Sequence, residues 1–448
     1  MSVFDEVKWD DAENEATELF KDLIRFETVN PPGNEKPCAE YIADALSREG
    51  LDPEVIDTAP GRAATVARIK GTGEKPPILL NGHIDVVAVE QDKWSVPAFD
   101  AVERDGFIYG RGAVDMKNMV TMSMMCMALM KRAGVTPKRD LIFCAVPDEE
   151  AGGAHGSQYM VANHADKVTA EYSISEMGGF SMEMEGKRFY LVQVAEKGVA
   201  WLKVRTKGDP GHGSIPDPHS AVVKAARMAS DLMEKGLPQH NVEAMAHFVG
   251  KMAAHLPFPK SMVFKMLMNP SVSKILLEKV FPDKGMAYAF KAMLHNTANP
   301  TVFRAGEKTN VIPSEAEFEL DGRILPGFTT ADFIEEVRAV IGEGPDIEVM
   351  HELTPTEAPA GDPIMSEIER TIEKHDPGAV VLPNLVTGFT DATHWKKLGM
   401  KCYGFSPLKM PAGTNFKELF HGHDEKIPVE GFRFGVRVLF DLVERMIT

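Results

Sequence analysis

The chain has 448 residues, 44% of them hydrophobic and 26% charged, and a formal net charge of -17. An acidic chain without a dense Lys/Arg run is a poor candidate for binding nucleic acid or an anionic membrane. The acidic start lacks the apolar segment of a signal peptide, and no apolar run approaches the ~20 residues of a membrane span. The scattered cysteines indicate free thiols in a reducing compartment, so we expect a cytoplasmic protein; they are Cys38, Cys126, Cys144 and Cys402.

Helical patterns alternate with short strand-like runs in the first part of the chain. Residues 11–29 and the segment PCAEYIADALSREG carry apolar residues at helical spacing. The strand-like runs are TVARIK, PILLNGHIDVV, FIYGRG and LIFCAVPDEE, and a long apolar helix, 116–133, precedes the last of them. This alternation predicts an α/β fold with a mixed, mostly parallel sheet flanked by helices.

The pattern changes after about residue 196. A strand (KGVAWLKVRTKG) and a helix (HSAVVKAARMASDLMEKG) precede a Met-rich segment of about 237–300; two strands, a helix and a further strand (DIEVMHEL) follow it. The order β-α-insert-β-β-α-β predicts an α+β, ferredoxin-like domain with a helical insert. Because α/β alternation then resumes, we predict a catalytic domain, 1–196 and 355–448, interrupted by an inserted lid domain, 197–354.

Imidazole and carboxylate groups follow several of the apolar runs. They are His83 and Asp85, Asp115 in GRGAVDMK, Glu149 and Glu150, Glu176 in SEMGG, and His421 in HGHDEK. Each alone has an ordinary explanation, such as a turn aspartate or a solvated glutamate pair. Together they suggest one site, because ligand groups gather at the carboxyl ends of strands in such sheets.

The residue types in this set indicate metal chemistry. Two histidines with several carboxylates and no cysteine are the ligands expected for zinc or a similar ion in a hydrolytic site. Asp115 could bridge two metals about 3.5 Å apart. His83 and Asp85 are two positions apart and therefore project to one side of a strand. We predict that His83 binds metal and that the Asp85 carboxylate accepts its other ring N–H.

Ordered motifs over nearly the whole chain give the sequence its resemblance to a known family. The motifs are NGHIDVV, WSVPAFDA, DGFIYGRGAVDMK, DEEAGG, SEMGG, GDPGHGSIP and HGHDEK. In this order and spacing they resemble the co-catalytic dizinc metallopeptidases, which include aminoacylase, succinyl-diaminopimelate desuccinylase and glutamate carboxypeptidase. The resemblance implies a phosphorylase/hydrolase-like catalytic domain and two Zn²⁺ per chain, for which Co²⁺ or Mn²⁺ can substitute.

The resemblance also assigns roles to individual residues. It implies that one zinc is held by His83 and Glu176, that the other is held by Glu150 and His421, and that Asp115 bridges them. Glu149 becomes the general base and His212 an oxyanion-stabilising residue from the lid. The lid positions Asn310 and Arg323 match those that bind the substrate carboxylate.

The sequence departs from the family pattern at two places. Met177 stands where a glycine is common, and HGHDEK offers both His421 and His423 as ligands. We choose His421 because the motif's glutamate, Glu425, follows four residues later. The insert is most similar to the Gly-X carboxypeptidase and N-fatty-acyl amino acid hydrolase branch. Its Met and Leu residues at helical spacing are typical of packing rather than of substrate contact.

The resemblance implies zinc-dependent hydrolysis of an amide bond in a substrate with a free C-terminal carboxylate, such as a dipeptide or short peptide. The first alternative is deacylation of N-acyl amino acids, favoured if the insert lines an apolar acyl pocket. A non-catalytic binding protein on a peptidase fold is the second, and the complete residue set weighs against it. We predict a homodimer through the lid, in which His212 serves the partner's site; the alternative is a monomer whose insert acts as a surrogate second lid.

Overall fold

The computed structural model describes residues 2–281, 284–414 and 419–448, and the chain forms two compact units. The first unit contains the chain up to Val194, Ala358–Asn384 and Thr390–Thr448; the second contains Ala195–Glu357 and Leu385–Phe389. The segment 385–389 was expected in the catalytic domain but groups with the second unit, where the carbonyl of Val386 accepts a hydrogen bond from the Lys197 N–H at 3.0 Å.

The helices and strands have the following bounds. The helices are α1 (Val3–Glu6), α2 (Trp9–Ile24), α3 (Lys36–Arg48), α4 (Lys117–Ala133), α5 (Ser157–Asn163), α6 (Ala165–Val168), α7 (Ala221–Lys235), α8 (Glu243–Ala254), α9 (Lys260–Met266), α10 (Pro270–Lys279), α11 (Lys284–Leu294), α12 (Thr330–Ile341), α13 (Pro363–His375), α14 (Ala392–Trp395) and α15 (Val429–Ile447). The strands are β1 (Glu54–Ala59), β2 (Arg62–Ile69), β3 (Ile78–His83), β4 (Val102–Arg104), β5 (Phe107–Tyr109), β6 (Leu141–Val146), β7 (Tyr172–Ser175), β8 (Ser181–Met184), β9 (Lys187–Glu196), β10 (Gly198–Lys207), β11 (Gly211–His212), β12 (Thr297–Ala305), β13 (Val311–Ile312), β14 (Glu315–Ile324), β15 (Asp346–Leu353), β16 (Thr356–Glu357), β17 (Val380–Val386), β18 (Lys401–Gly404) and β19 (Lys426–Pro428).

The first unit is built on a mixed sheet. Its strands lie in the order β1-β2-β6-β3-β7-β18-β9, and β8 and β17 also pair with β9. Parallel pairing joins β6, β3, β7 and β18 at the centre, whereas β1, β2 and β9 pair antiparallel with their neighbours. β3 and β6 are buried along their whole length, as expected for central strands of an α/β sheet. The predicted α/β fold with a mixed sheet is therefore confirmed, but the sheet is not mostly parallel, because antiparallel strands flank its parallel centre.

The apolar helix predicted at 116–133 is α4, and its first four turns are buried. It packs against α2, α15 and the central strands β3 and β6. Gly134 ends it with a left-handed φ of 66°, which a glycine adopts without steric cost. None of the helices in the described part of the chain combines the length and apolar character that a membrane crossing requires.

The second unit has the predicted ferredoxin-like arrangement. Its antiparallel sheet runs in the order β12-β14-β10-β15, and α7 and α12 pack on one face. Burial alternates along β14, where Phe318 and Leu320 join the core beneath the helices. Asp321 and Arg323, at the other parity of the strand, are only partly buried.

The insert predicted at about 237–300 forms α8 to α11, with residues 282–283 outside the described ones. Phe290 of α11 is the centre of a small aromatic cluster, with ring centroids of Phe248, Phe264 and Phe281 at 5.6–6.0 Å. Much of the insert therefore packs on itself, as its composition predicts.

Candidate metal centre

The polar residues singled out at the strand ends occupy one edge of the sheet in the first unit. His83 is the last residue of β3, Glu149 and Glu150 follow β6, and Glu176 follows β7. These three strands are parallel neighbours, so their carboxyl ends meet at the same edge. Asp115 comes from the loop before α4, where it reaches the same place.

The side chains form two potential ligand sets that share Asp115. In the first, Nε2 of His83 lies 3.0 Å from Oδ1 of Asp115 and 3.8 Å from Oε2 of Glu176. In the second, Nε2 of His421 lies 3.2 Å from Oδ2 of Asp115 and 3.2 Å from Oε2 of Glu150. Within each set, the candidate ligand atoms lie within 4.8 Å of one another. The two oxygens of one carboxylate thus face different histidines, which is the arrangement that a bridging ligand needs.

His421, not His423, reaches this cluster. Its backbone has a φ of 57°, and its ring faces Asp115 and Glu150. Nε2 of His423 instead lies 3.5 Å from Oε1 of Glu90.

Met177 also has a left-handed backbone, with a φ of 60°. A glycine adopts that conformation at no steric cost, which accounts for a preference for glycine at this place. The substitution nevertheless leaves the preceding Glu176 beside His83.

The fixed orientation of His83 indicates which of its nitrogens is available to a metal. Nδ1 lies 2.9 Å from the backbone carbonyl of Asp85, and a carbonyl only accepts, so Nδ1 carries the hydrogen. In neutral His83, Nε2 then presents a lone pair to a carboxylate oxygen of Asp115. A proton on Nε2 or a metal ion between the two atoms removes the repulsion of acceptors 3.0 Å apart, so the donor set fits a metal ion.

The carboxylate of Asp85 has a role beyond the predicted one of orienting His83. It lies 3.4 Å from Nδ1 of His83, farther than the carbonyl of the same residue. Its oxygens accept hydrogen bonds from the backbone N–H groups of Glu149 and Glu150, both at 3.1 Å, and from Asn30 Nδ2 at 2.8 Å. Asp85 therefore fixes the turn that presents both glutamates, while its backbone orients the histidine.

Charge is crowded in this cluster. Burial, reinforced by the neighbouring Asp115, raises the pKa of Glu176 to about 8, and burial also raises the pKa of Glu149 well above its usual range. Hydrogen bonds to Asp115 and Glu150 raise the pKa of His421 to about 10. Oε1 of Glu150 is buried and has no hydrogen-bond partner among the described residues. Buried carboxylates with an orphaned oxygen call for cationic partners, and divalent ions suit this set.

Sequence reasoning missed the residue that shapes the Asp115 loop. Glu425 is fully buried; its Oε1 accepts from the N–H groups of Val114 and Asp115, and its Oε2 from Gly112 N–H and from Nη1 of Arg111. From the sequence, Glu425 serves only to choose between His421 and His423 as the ligand. Its position in HGHDEK was the available signal.

A second buried group that could not be recognised from the sequence lies next to the turn at Glu149. The Arg62 guanidinium forms an ion pair with Asp148 and donates to Oδ1 of Asn30 at 2.6 Å. Asn30 in turn donates to Asp85 and Asp148. The glycine of PPGNE, Gly33, lies against this guanidinium with a φ of 84°, and a Cβ there would overlap it. Arg62 thus ties the N-terminal loop to the turn that carries both glutamates.

The remaining predicted residues lie in the second unit. His212 is exposed, and its Nδ1 lies 2.8 Å from Oγ of Ser214. It is paired with Val311 across β11 and β13, so the neighbouring Asn310 lies close to it. Arg323 is on β14 and forms an ion pair with Asp321, with Nε and Oδ1 2.8 Å apart.

A known protein family, curated proteins and solved structures are similar to this chain over most of its length. The model of Peptidase family M20/M25/M40 matches residues 79–445. The chain is 28% identical over 381 residues to the N-fatty-acyl-amino acid synthase/hydrolase of Mus musculus, covering 82% of this chain and 74% of that protein. It is 25% identical over 445 residues to aminoacylase-1 of Homo sapiens, covering 96% and 95%. The crystal structure of an M20 family metallo-carboxypeptidase from Sulfolobus solfataricus superimposes with a TM-score of 0.68 at 16% identity, covering 96% of this chain and 98% of that one.

Proposed function

This chain belongs to peptidase family M20/M25/M40 and is a metallopeptidase or amidohydrolase, and we propose that it hydrolyses an amide bond in a substrate with a free C-terminal carboxylate. Dipeptides and short peptides cleaved at the C-terminus are the proposed substrates. The observation that carries this proposal is the position of Asp115, one oxygen of which faces His83 and the other His421.

We assign two divalent cations to the cluster. His83, Asp115 and Glu176 would hold one, and Asp115, Glu150 and His421 the other. Nitrogen and oxygen donors without sulfur suit Zn²⁺, with Co²⁺ or Mn²⁺ as substitutes. When bound, such a pair lowers the pKa of a water molecule and polarises the scissile carbonyl.

Glu149 is the proposed general base. It lies beside the ligands without belonging to either set, with Oε2 4.0 Å from Nε2 of His83. It accepts the proton of the attacking water as the new C–O bond forms, and it delivers that proton to the leaving nitrogen as the C–N bond breaks. The Asp85 carboxylate holds the backbone of this turn and so aims the Glu149 side chain.

Two residues of the second unit are assigned to the substrate. His212 donates a hydrogen bond to the oxyanion, a contribution worth roughly 2.7–4 kcal/mol in other enzymes. Arg323 binds the substrate carboxylate, for which a guanidinium is the suitable group, and Asn310 assists it. Support comes from the closeness of His212 and Asn310 and from the ion pair that orients Arg323.

A second candidate is deacylation of N-acyl amino acids. The relatives named aminoacylase-1 and N-fatty-acyl-amino acid synthase/hydrolase favour it. Its chemistry uses the same residues, because the released amino acid again carries the carboxylate. Glycyl-leucine and N-oleoyl-leucine separate the two candidates.

A hydrolysis screen over dipeptides and N-acyl amino acids tests the proposal, with metal content measured on the same sample. We expect turnover of at least one of the two classes by protein that contains metal. Metal-loaded protein that hydrolyses neither class would overturn the proposal. A homodimer through the second unit and a cytoplasmic location belong to the same proposal and rest on the sequence.

A further inference from the structure

A large cavity lies in the second unit, beside the residue proposed to bind the substrate carboxylate. Its volume is about 810 Å³, which is in the range of pockets that hold small molecules. The end of α7 forms one wall through Met233, and α11 of the insert forms another through Tyr288 and Ala292. Asp321 and Arg323 of β14 also line it.

The insert lines this cavity with one face of a helix. Tyr288, Lys291 and Ala292 are three and four residues apart, so their side chains project to the same side of α11. Phe290 lies on the other side, in the insert's aromatic cluster. The helix therefore packs through one face and leaves the other to the cavity.

Arg323 is held so that part of its guanidinium is available to a ligand. Asp321 accepts hydrogen bonds from Nε at 2.8 Å and from Nη2 at 3.2 Å. This contact uses one edge of the planar group and leaves the Nη1–Nη2 edge for a bidentate contact with a second carboxylate. Trp201 Nε1 donates to Asp321 at 3.2 Å and helps to hold it.

Much of the polar lining is already paired within the unit. Asn296 donates to Glu336 at 3.0 Å and accepts from the Leu325 N–H at 2.7 Å. Nδ1 of His295 lies 2.8 Å from the carbonyl of Lys291. Leu232, Leu237, Met233, Ala292 and Ala298 contribute apolar surface. Apart from the free edge of Arg323 and the polar side chains of Lys291 and Asn299, the cavity thus offers an apolar wall that suits an apolar group beside a carboxylate.

We propose that this cavity binds the side chain of the amino acid that hydrolysis releases, and that it selects large apolar side chains such as leucine and phenylalanine. The proposal rests on Arg323 as the carboxylate clamp of the proposed function. In an α-amino acid the first side-chain atom is two bonds from the carboxylate carbon. Because Arg323 lines the cavity, a carboxylate bound to it brings this side chain within reach of the cavity. The inference holds for peptides and for N-acyl amino acids alike.

The test is a substitution in the insert that fills part of the cavity. Ala292→Leu adds bulk to the lining, and Ala289→Leu makes the same change at an exposed position of α11 that does not line the cavity. We measure kcat/KM for glycyl-phenylalanine and glycyl-glycine, and for the N-acetyl amino acids if those are the substrates. Wild type should favour phenylalanine at least about tenfold. Ala292→Leu should lower that ratio by about tenfold or more, and Ala289→Leu should leave it unchanged.

An unchanged ratio in folded Ala292→Leu protein would overturn the inference. If that variant does not fold, Met233→Ala replaces it. Met233 is 56% exposed, so its truncation spares the core while it removes apolar contact and should lower the same ratio.

Calorimetric binding of free L-phenylalanine and glycine separates this inference from the proposed function. If metal-loaded wild type hydrolyses nothing, the proposed function fails. Tighter binding of phenylalanine, weakened by Ala292→Leu but not by Ala289→Leu, would still support the cavity. Equal binding of the two amino acids by wild type would contradict it.

Discussion

The carboxylate of Asp85 accepts a hydrogen bond from the backbone N–H of Glu149 at 3.1 Å. The end of β3, which carries His83, is thereby joined to the turn after β6, which carries the proposed base. Because the Glu150 N–H donates to the same carboxylate, one buried group sets the positions of both glutamates. The geometry of proton transfer and the geometry of metal binding are therefore linked through Asp85.

Substitution of the two adjacent glutamates should give different phenotypes. Glu149→Gln preserves shape but removes the proton acceptor, so turnover should fall by at least the ~10²-fold typical of general-base loss, with metal content unchanged. Glu150→Gln should instead lower metal occupancy, because Glu150 faces His421 in the second ligand set. Kinetics and metal analysis on the same samples check both. Exchanged phenotypes would mean that the roles are reversed.

Loss of the buried Arg62 should destabilise the first unit. Arg62→Met leaves Asp148 and Glu35 buried without their cation, which costs about 3–5 kcal/mol in comparable cases. Arg68→Met on the same strand is the matched control. Its pair with Asp140 is partly exposed and should contribute no more than about 1 kcal/mol, and it also loses hydrogen bonds to the carbonyls of Asp166 and Lys167. Thermal or denaturant unfolding measures both variants. Equal, small losses would show that the Arg62 cluster contributes little.

If Arg323 binds the substrate carboxylate, its loss should matter only for substrates that carry that charge. Arg323→Ala should reduce kcat/KM for substrates with a free carboxylate by about 10- to 100-fold, the range expected for a charged hydrogen bond. C-terminal amides of the same substrates should lose much less. Arg304→Ala, which removes an exposed arginine paired with Glu319 in the same sheet, is the control. Equal losses on acids and amides would make Arg323 a structural residue.

The proposed dimer predicts sharing of His212 between subunits. Glu149→Gln and His212→Ala chains, each inactive alone, are mixed under conditions that allow exchange. Each heterodimer would then contain one site with both residues intact, so about a quarter of all sites should recover activity if pairing is random. Absence of recovery in chains that have exchanged would mean that His212 acts within its own chain or not at all.

The cluster could be predicted from the sequence because its members carry their own signal. An imidazole or carboxylate that directly follows an apolar run is conspicuous, and neighbouring parallel strands place their carboxyl ends together. His83, Glu150 and Glu176 are conspicuous for this reason. The α/β order and the ferredoxin-like order of the second unit followed from the alternation of the elements.

The buried residues that hold the cluster in place could not be predicted, because they and their partners are far apart in the chain and follow no periodic pattern. Glu425 binds backbone N–H groups of the Asp115 loop, and Arg62 reaches Asp148. Asp85 was expected to orient His83 through its carboxylate, but a backbone carbonyl lies closer to the ring nitrogen. The cavity beside Arg323 could not be predicted either, because the sequence does not show that α11 of the insert and β14 line the same cavity.

Reconstitution with metal tests whether the cluster around Asp115 hydrolyses amides through bound metal ions. The protein is stripped with a chelator, its metal content is verified, and Zn²⁺ is titrated back while amide hydrolysis is followed on the same sample. We expect activity to be lost with the metal and to return over about two equivalents per chain. Full hydrolytic activity in protein verified to be free of metal would contradict it.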